Sequence, residues 1–191
     1  MKRYDFRPLR MDELDRFETM FEYSKILDKN SLPNIVSYLP KLRMSSLLFQ
    51  VDTTQEKISP MDFHDECDDK GPTLMIVKTK NDKIFGAYCP VSWISENMYT
   101  ETEESFIFTL DNNVFTMYNI FEPLLAVKQS QYQYSPCFGE VDKADLFISF
   151  KYPQKSYAML GNVYKKIIHP DIIIKEKLEV NYIEIYAVNF E

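Results

Sequence analysis

The stretch Ser59-Pro60-Met61-Asp62-Phe63-His64-Asp65-Glu66-Cys67-Asp68-Asp69-Lys70-Gly71-Pro72-Thr73-Leu74 changes its periodicity part-way along, and that change decides the fold. Its first half reads as a short helix. Ser59 can accept from the free N–H groups of the first turn, and Pro60 at the first helical position gives up no hydrogen bond. Asp62 and Asp65 suit the positive end of the helix dipole. Phe63 and Cys67, four apart, share the face that turns inward. Asp68-Asp69-Lys70-Gly71-Pro72 then breaks the helix, and from Thr73 the apolar period is two.

Working outward, the two-residue period persists. Residues 73–78 read as a strand, Asn81-Asp82-Lys83 as a tight turn and residues 84–91 as the returning strand. Residues 105–110 and 114–118 form a second hairpin around Asp111-Asn112-Asn113. Shorter signals predict strands at 47–49, 124–127 and 145–150, and a long one at 180–188. In the last, Ile183, Ile185 and Ala187 face one way and Tyr182, Glu184 and Tyr186 the other. Many antiparallel strands behind a few short helices predict an α+β, mostly β fold: a two-sheet antiparallel β-sandwich flanked by short helices, with the helical N-terminal part covering its edges.

Residues 1–30 carry one helical stripe of Leu14, Phe17, Phe21 and Leu27, with Asp12 as its candidate N-cap and Asp15, Arg16, Glu18 and Glu22 opposite. Such a stripe either packs on its own domain or lays itself on a partner as a docking arm. A second helix follows, with Ser31 as cap, Pro33 in the first turn, an Ile35, Val36 and Leu39 face, and Pro40 as stop. The expected division is a helical arm over 1–30 and one domain over 31–191.

Composition narrows the function. The 191 residues suffice for one domain with one sizeable core, and fourteen Phe and thirteen Tyr suit a pleated surface. A net charge of −7 argues against nucleic acid, whose backbone needs clustered Lys and Arg. Cys67, Cys89 and Cys137 are odd in number and widely spaced, without C-x-x-C, so reduced thiols are expected. The opening Met1-Lys2-Arg3-Tyr4-Asp5 lacks an apolar signal core, and no apolar run approaches a membrane span. A cytoplasmic protein without direct membrane insertion is the expectation.

The candidate chemistry is sparse. His64 and Cys67 lie three apart, but their neighbours are acidic and Cys67 falls near the negative helix end, which favours an unreactive thiol. The pair offers zinc two ligands where three or four are needed, and the other histidine, His169, is distant. The acidic run 62–69 lacks calcium-loop spacing. Trp93 reads as a core anchor. No Gly-rich phosphate loop, G-x-S-x-G or H-E-x-x-H occurs. No catalytic, cofactor-binding or metal residue is expected.

The sequence resembles the TLDc domain family of oxidation-resistance-type proteins. Residues 63–74 are similar to its "D-x-K-G-P-T-L" signature, with Gly71, Pro72 and Thr73 in place. Ile84-Phe85-Gly86-Ala87-Tyr88, followed by Ser92-Trp93, resembles its "F-G-G-Y" and Ser-Trp elements. Ser105-Phe106-Ile107-Phe108-Thr109-Leu110, Ser135-Pro136-Cys137-Phe138-Gly139, Asp145-Leu146-Phe147-Ile148, Ser156-Tyr157 with Leu160-Gly161-Asn162-Val163-Tyr164, and residues 179–188 follow in the family's order. All four glycines, Gly71, Gly86, Gly139 and Gly161, fall on motif glycines. A glycine-poor chain keeps Gly where φ is positive or backbones and side chains approach closely. The sequence departs from the pattern at Ala87, Ser135, Glu140 and Val141, each replacing a family glycine.

The resemblance implies a non-catalytic interaction module that regulates a large complex such as the vacuolar proton-pumping ATPase, without cofactor. Two alternatives remain. One is a structural subunit of another assembly, ciliary or cytoskeletal, since the Asn-, Lys-, Ile- and Tyr-rich composition fits an AT-rich, protist-like genome. The other is a thiol-based peroxide-handling enzyme using Cys67, Cys89 or Cys137.

Overall fold

A computed structural model describes residues 8, 10–39, 42–129, 135–167 and 173–190. His169 lies outside them. In chain order the elements are α1 (Met11–Met20), α2 (Ser31–Val36), β1 (Leu42–Asp52), α3 (Pro60–Cys67), β2 (Thr73–Thr79), β3 (Ile84–Cys89), β4 (Met98–Thr100), β5 (Phe106–Asp111) and β6 (Val114–Ile120). A 3-10 turn (Pro123–Leu125) leads to β7 (Val127–Gln129), β8 (Cys137–Phe138) and β9 (Leu146–Phe147). A second 3-10 turn (Pro153–Lys155) precedes β10 (Tyr157–Leu160), β11 (Tyr164–Lys165), β12 (Ile174–Lys177) and β13 (Val180–Phe190).

Two antiparallel sheets form the sandwich. The larger has the order β1-β13-β2-β3-β5-β6-β11 and the smaller β12-β10-β9-β8-β7-β4. The alternation expected in the closing strand sets the layers. Ile183 and Ile185 enter the core between the sheets with Met75, Val77, Phe85, Ile107, Phe138 and Leu146. Tyr186 and Val188 enter a second core on the opposite face, with Leu74, Ile76, Phe106 and Phe108. The large sheet is thus buried on both faces, so β2, β3 and β5 are nearly continuous apolar runs and lack the two-residue alternation expected from residue 73 on.

The second core is roofed by the N-terminal segment. Phe17, Phe21, Ile26 and Leu27 share it with Leu32, Ile35 and Val36, so a boundary at residues 30/31 cuts through packed side chains. Leu14 is half-buried, and Phe21 meets Tyr186 edge-on at 4.9 Å. The stripe read as a possible partner-docking arm is therefore spent on its own sheet. The helical part covers a face of the large sheet, reaching its β1 edge where Ser45 Oγ donates to Met20 O at 2.7 Å.

Four further expectations need correction. Asp12 is inside the first turn of α1; Arg10 is the cap residue, and its N–H donates to the Glu13 carboxylate at 3.1 Å. Phe21 and Leu27 follow the helix rather than lying on it. The strand expected at 124–127 is a 3-10 turn followed by β7, because Pro123 fixes φ and has no N–H for a ladder. The strand expected at 145–150 shrinks to Leu146–Phe147 beside Asp145, whose side chain is tied elsewhere.

Candidate functional site

The signature stretch behaves as its residues dictate. Ser59 caps α3: its Oγ accepts from Asp62 N, and the Asp62 carboxylate accepts from Ser59 N at 2.7 Å. Phe63 and Cys67 turn inward as expected. His64 is buried too, with Nδ1 2.8 Å from Asp68 Oδ1, while Asp68 Oδ2 accepts from Ser95 Oγ at 2.7 Å. The imidazole is aimed at a carboxylate that anchors a loop, and this fastens the end of α3 to residues 92–95.

Most of the motif residues assemble around that joint. Gly71, at φ +80°, donates its N–H to Ser92 Oγ at 3.1 Å. Trp93 is buried and donates from Nε1 to Thr73 Oγ1 at 2.9 Å; its ring meets Phe63 and Phe138 edge-on at 5.4 and 5.7 Å. Pro72 O accepts from Val188 N at 2.9 Å, tying the signature to the closing strand. Buried Gln129 completes the joint by donating to Ser92 O and accepting from Ile94 N, both at 3.1 Å. Sequence reasoning missed Gln129, because nothing in the sequence of β7 distinguishes a buried glutamine from a solvated one.

A second knot joins three separated motifs. The buried Asp145 carboxylate accepts from the backbone N–H groups of Gly161, Asn162, Val163 and Tyr164 at 2.9–3.1 Å. Burial pushes its pKa up to about 6, against the downward pull of those four donors. Gly139 is part of the same knot: a Cβ there would lie 2.7 Å from Asp145 Oδ2 and 2.8 Å from Asp145 N. In the altered loop, Ser135 Oγ accepts from Phe150 N at 2.9 Å, and Val141 N donates to Tyr99 Oη at 2.8 Å.

Glu184 forms a third such centre, on the outer core. Fully buried, it accepts from Ser24 Oγ (2.6 Å), Lys25 N (2.5 Å), Gln50 Nε2 (2.9 Å) and Tyr186 Oη (2.9 Å). The sequence placed Glu184 on the face of Tyr182 and Tyr186, but gave no sign that residues 24–25 would fold over it.

Burial disfavours the thiolate form of all three cysteines. Cys67, Cys89 and Cys137 are free and buried, and burial pushes each pKa up to about 12. At Cys67, Asp68 and Glu66 add to the burial. Among the described residues, no group of three or more His, Cys, Asp or Glu side chains is placed to hold a metal. A groove of about 830 Å³ runs between residues 28–34 and the hairpin tips, lined by Asp28, Asn34, Lys78, Asp82, Asp111 and Asn113. It is open and polar. Among the described residues, no helix is long and apolar enough to cross a membrane.

The joint, the Asp145 knot and the long closing strand thus draw on residues spread from 59 to 188. A family model described as the TLDc domain matches residues 20–189. The chain belongs to the TLDc domain family. The match begins at Met20, within the segment that roofs the outer core, so it takes in residues 20–30, the last third of what the sequence suggested was an arm. The chain is also similar to the GTPase-activating protein skywalker of Drosophila melanogaster, at 30% identity over 93 residues. That match covers 44% of this chain and 16% of the fly protein. Of the TLDc motif residues, Gly71, Thr73, Ser92, Trp93, Phe138, Gly139 and Gly161 lie in the joint and the knot. Phe85 packs in the inter-sheet core, and Gly86 lies against the Phe108 ring.

Proposed function

We propose that this TLDc domain is a non-catalytic protein-interaction module that binds and regulates a large complex, the vacuolar proton-pumping ATPase being the first candidate. The observation that supports this reading is where the motif side chains go. Trp93, Thr73, Asp145, Gly86, Gly139 and Gly161 are buried in the scaffold, and burial raises the pKa of all three thiols. Sites for chemistry show perturbed groups converging on an open cleft. Here Asp145, Cys67 and Cys89 are buried, and Asp28, which lines the open groove, is a carboxylate held below its ordinary range by hydrogen bonds from Ser31 and Asn30 that tie its own loop. A sandwich whose motif side chains point inward leaves its surface free for recognition.

The test is copurification. Tagged protein isolated from its native cells should bring down peripheral-stalk subunits of the ATPase. Recovery of none of them would refute the assignment to that complex.

A further inference from the structure

The charge feature that the fold leaves unexplained is a braced loop at one edge of the smaller sheet. Residues 149–156 close on themselves through two buried serines: Ser149 N donates to Ser156 Oγ at 2.9 Å, and Tyr152 N donates to Ser149 Oγ at 3.2 Å. The 3-10 turn Pro153–Lys155 braces the tip, with Lys155 N donating to Tyr152 O at 2.7 Å. Tyr152 projects from this loop 43% exposed, and its ring carries Lys155 Nζ at 4.7 Å and Lys151 Nζ at 5.5 Å. β12 lies alongside, because Leu178 N donates to Ser156 O at 3.0 Å and Lys177 pairs with Tyr157. Lys175 and Lys177 are exposed on one face of that strand, opposite Met159 and Tyr157 in the register.

These cations are unpaired. None of Lys151, Lys155, Lys175 and Lys177 has an ion-pair partner among the described residues. Neighbouring carboxylates are largely occupied: Glu176 is bonded to Lys83 at 2.5 Å, Glu179 pairs with Lys80 at 3.6 Å, and Asp52 accepts from Thr54 N and Oγ1. Asp142, which acts on Tyr157 and Cys137, and Glu56, which is followed by Lys57, leave the balance positive. Lysines on an edge strand by themselves keep it from pairing with a neighbour. That role does not call for a second pair of lysines stacked on an exposed tyrosine in a braced loop. Beside the loop runs a cleft of about 420 Å³, lined by Thr53, Thr54, Pro153, Gln154, Lys177 and Val180. A cleft next to cations accepts a polypeptide better than a flat membrane, and the net charge of −7 opposes both anionic lipid and a nucleic-acid backbone. We infer that the 149–156 loop and the exposed face of β12 capture an extended acidic segment of a protein partner, its carboxylates on Lys151, Lys155 and Lys177.

This rests on the interaction-module reading and names the chemistry of its partner. The probe is a fluorescent peptide of alternating Glu and Ser, titrated against the whole chain, with its Gln-for-Glu analogue as control. The expected result is saturable binding of the acidic peptide alone, weakened about tenfold by Lys151→Gln/Lys155→Gln/Lys177→Gln. The variant Lys25→Gln/Lys29→Gln/Lys70→Gln makes the same change in net charge elsewhere on the surface and should bind within about twofold of the parent. All six side chains are exposed, and unchanged thermal unfolding checks that both variants fold. Absence of binding, equal binding of the Gln analogue, or equal weakening by the two variants overturns the proposal. So does sedimentation with phosphatidylserine vesicles that is lost in the Lys151→Gln/Lys155→Gln/Lys177→Gln variant, which would assign the patch to a membrane. A failed ATPase pull-down leaves the peptide result standing, and the converse holds.

Discussion

Gly86→Ala is the most informative single change. A Cβ at Gly86 would fall inside contact distance of three atoms of the Phe108 ring, Cζ, Cε1 and Cε2. The ring cannot simply rotate away. Phe108 is fully buried and stacks on Phe115 at 5.3 Å, and Phe115 stacks on Tyr38 at 3.9 Å. One methyl group therefore pushes a column of three rings that joins the large sheet to the segment after α2. Overpacking of this kind costs ~1–3 kcal/mol, and the upper end applies because the contact is with a trapped ring. Removing a glycine from a strand interior returns ~0.5–1 kcal/mol, leaving a net loss of roughly 2 kcal/mol.

The assay is a double-mutant cycle by urea denaturation. Leucine lacks Cε1, Cε2 and Cζ, so Phe108→Leu removes the atoms that the new methyl would strike. Alone, that substitution should cost roughly 1–2 kcal/mol through lost contacts. Together, the two should be less destabilising than their sum by ~1–2 kcal/mol. For a chain of this size, Gly86→Ala should lower Tm by roughly 4–8 °C. Strict additivity, or an alanine variant as stable as the parent, would refute the argument that ring contact fixes this glycine.

Five other outcomes follow from the buried polar groups, the roofing segment and the thiols. Asp145→Asn turns an amide N–H₂ toward backbone donors and should cost ~1–3 kcal/mol, read from urea curves. Because the folded pKa of Asp145 is raised to about 6, the folded state holds a proton that the unfolded state has released between about pH 4 and 6. Wild-type stability should therefore fall across that window by roughly 2–3 kcal/mol relative to Asp145→Asn; parallel pH profiles would contradict the raised value. Glu184→Ala orphans four donors and should cost ~3 kcal/mol or more, with faster amide hydrogen exchange over residues 21–27. Phe17→Asp should unfold the outer core, seen as a lost or broadened thermal transition, because the side chain is fully buried against the domain's own sheet. None of the three cysteines should react with a thiol reagent in native protein, and all three should react in denaturant.

The sequence revealed the elements whose physics is local. The Ser59-Pro60 cap, the break at Gly71-Pro72, the two hairpins and the alternation of β13 all follow from neighbours within a few residues, and the structure keeps them. It also placed Trp93 in the core and Cys67 on an inward face. What it concealed is non-local. The smaller sheet is built from strands of two to four residues, too short to show a period. Its outer face mixes Lys177, Tyr157, Phe147, Cys137, Lys128 and Tyr99 in one cross-strand row, which no single strand exposes as a pattern. The destination of the Phe17 and Phe21 stripe was equally invisible, since a helix with one apolar face has the same sequence whether it docks at home or abroad.

The motif residues are spent on the scaffold, and this limits what the family match transmits. Gly86, Trp93, Gly139 and Asp145 are held by ring packing and hydrogen bonds inside this sandwich, so in this chain they belong to the scaffold. Met98, Phe121 and Leu124 lie in none of the recognised motifs and contribute little to either core. Their large exposed fractions mean that folding does not require them to be apolar. Substitutions at such exposed positions should leave Tm within the small range of ordinary surface changes, whereas those at the motif residues should not.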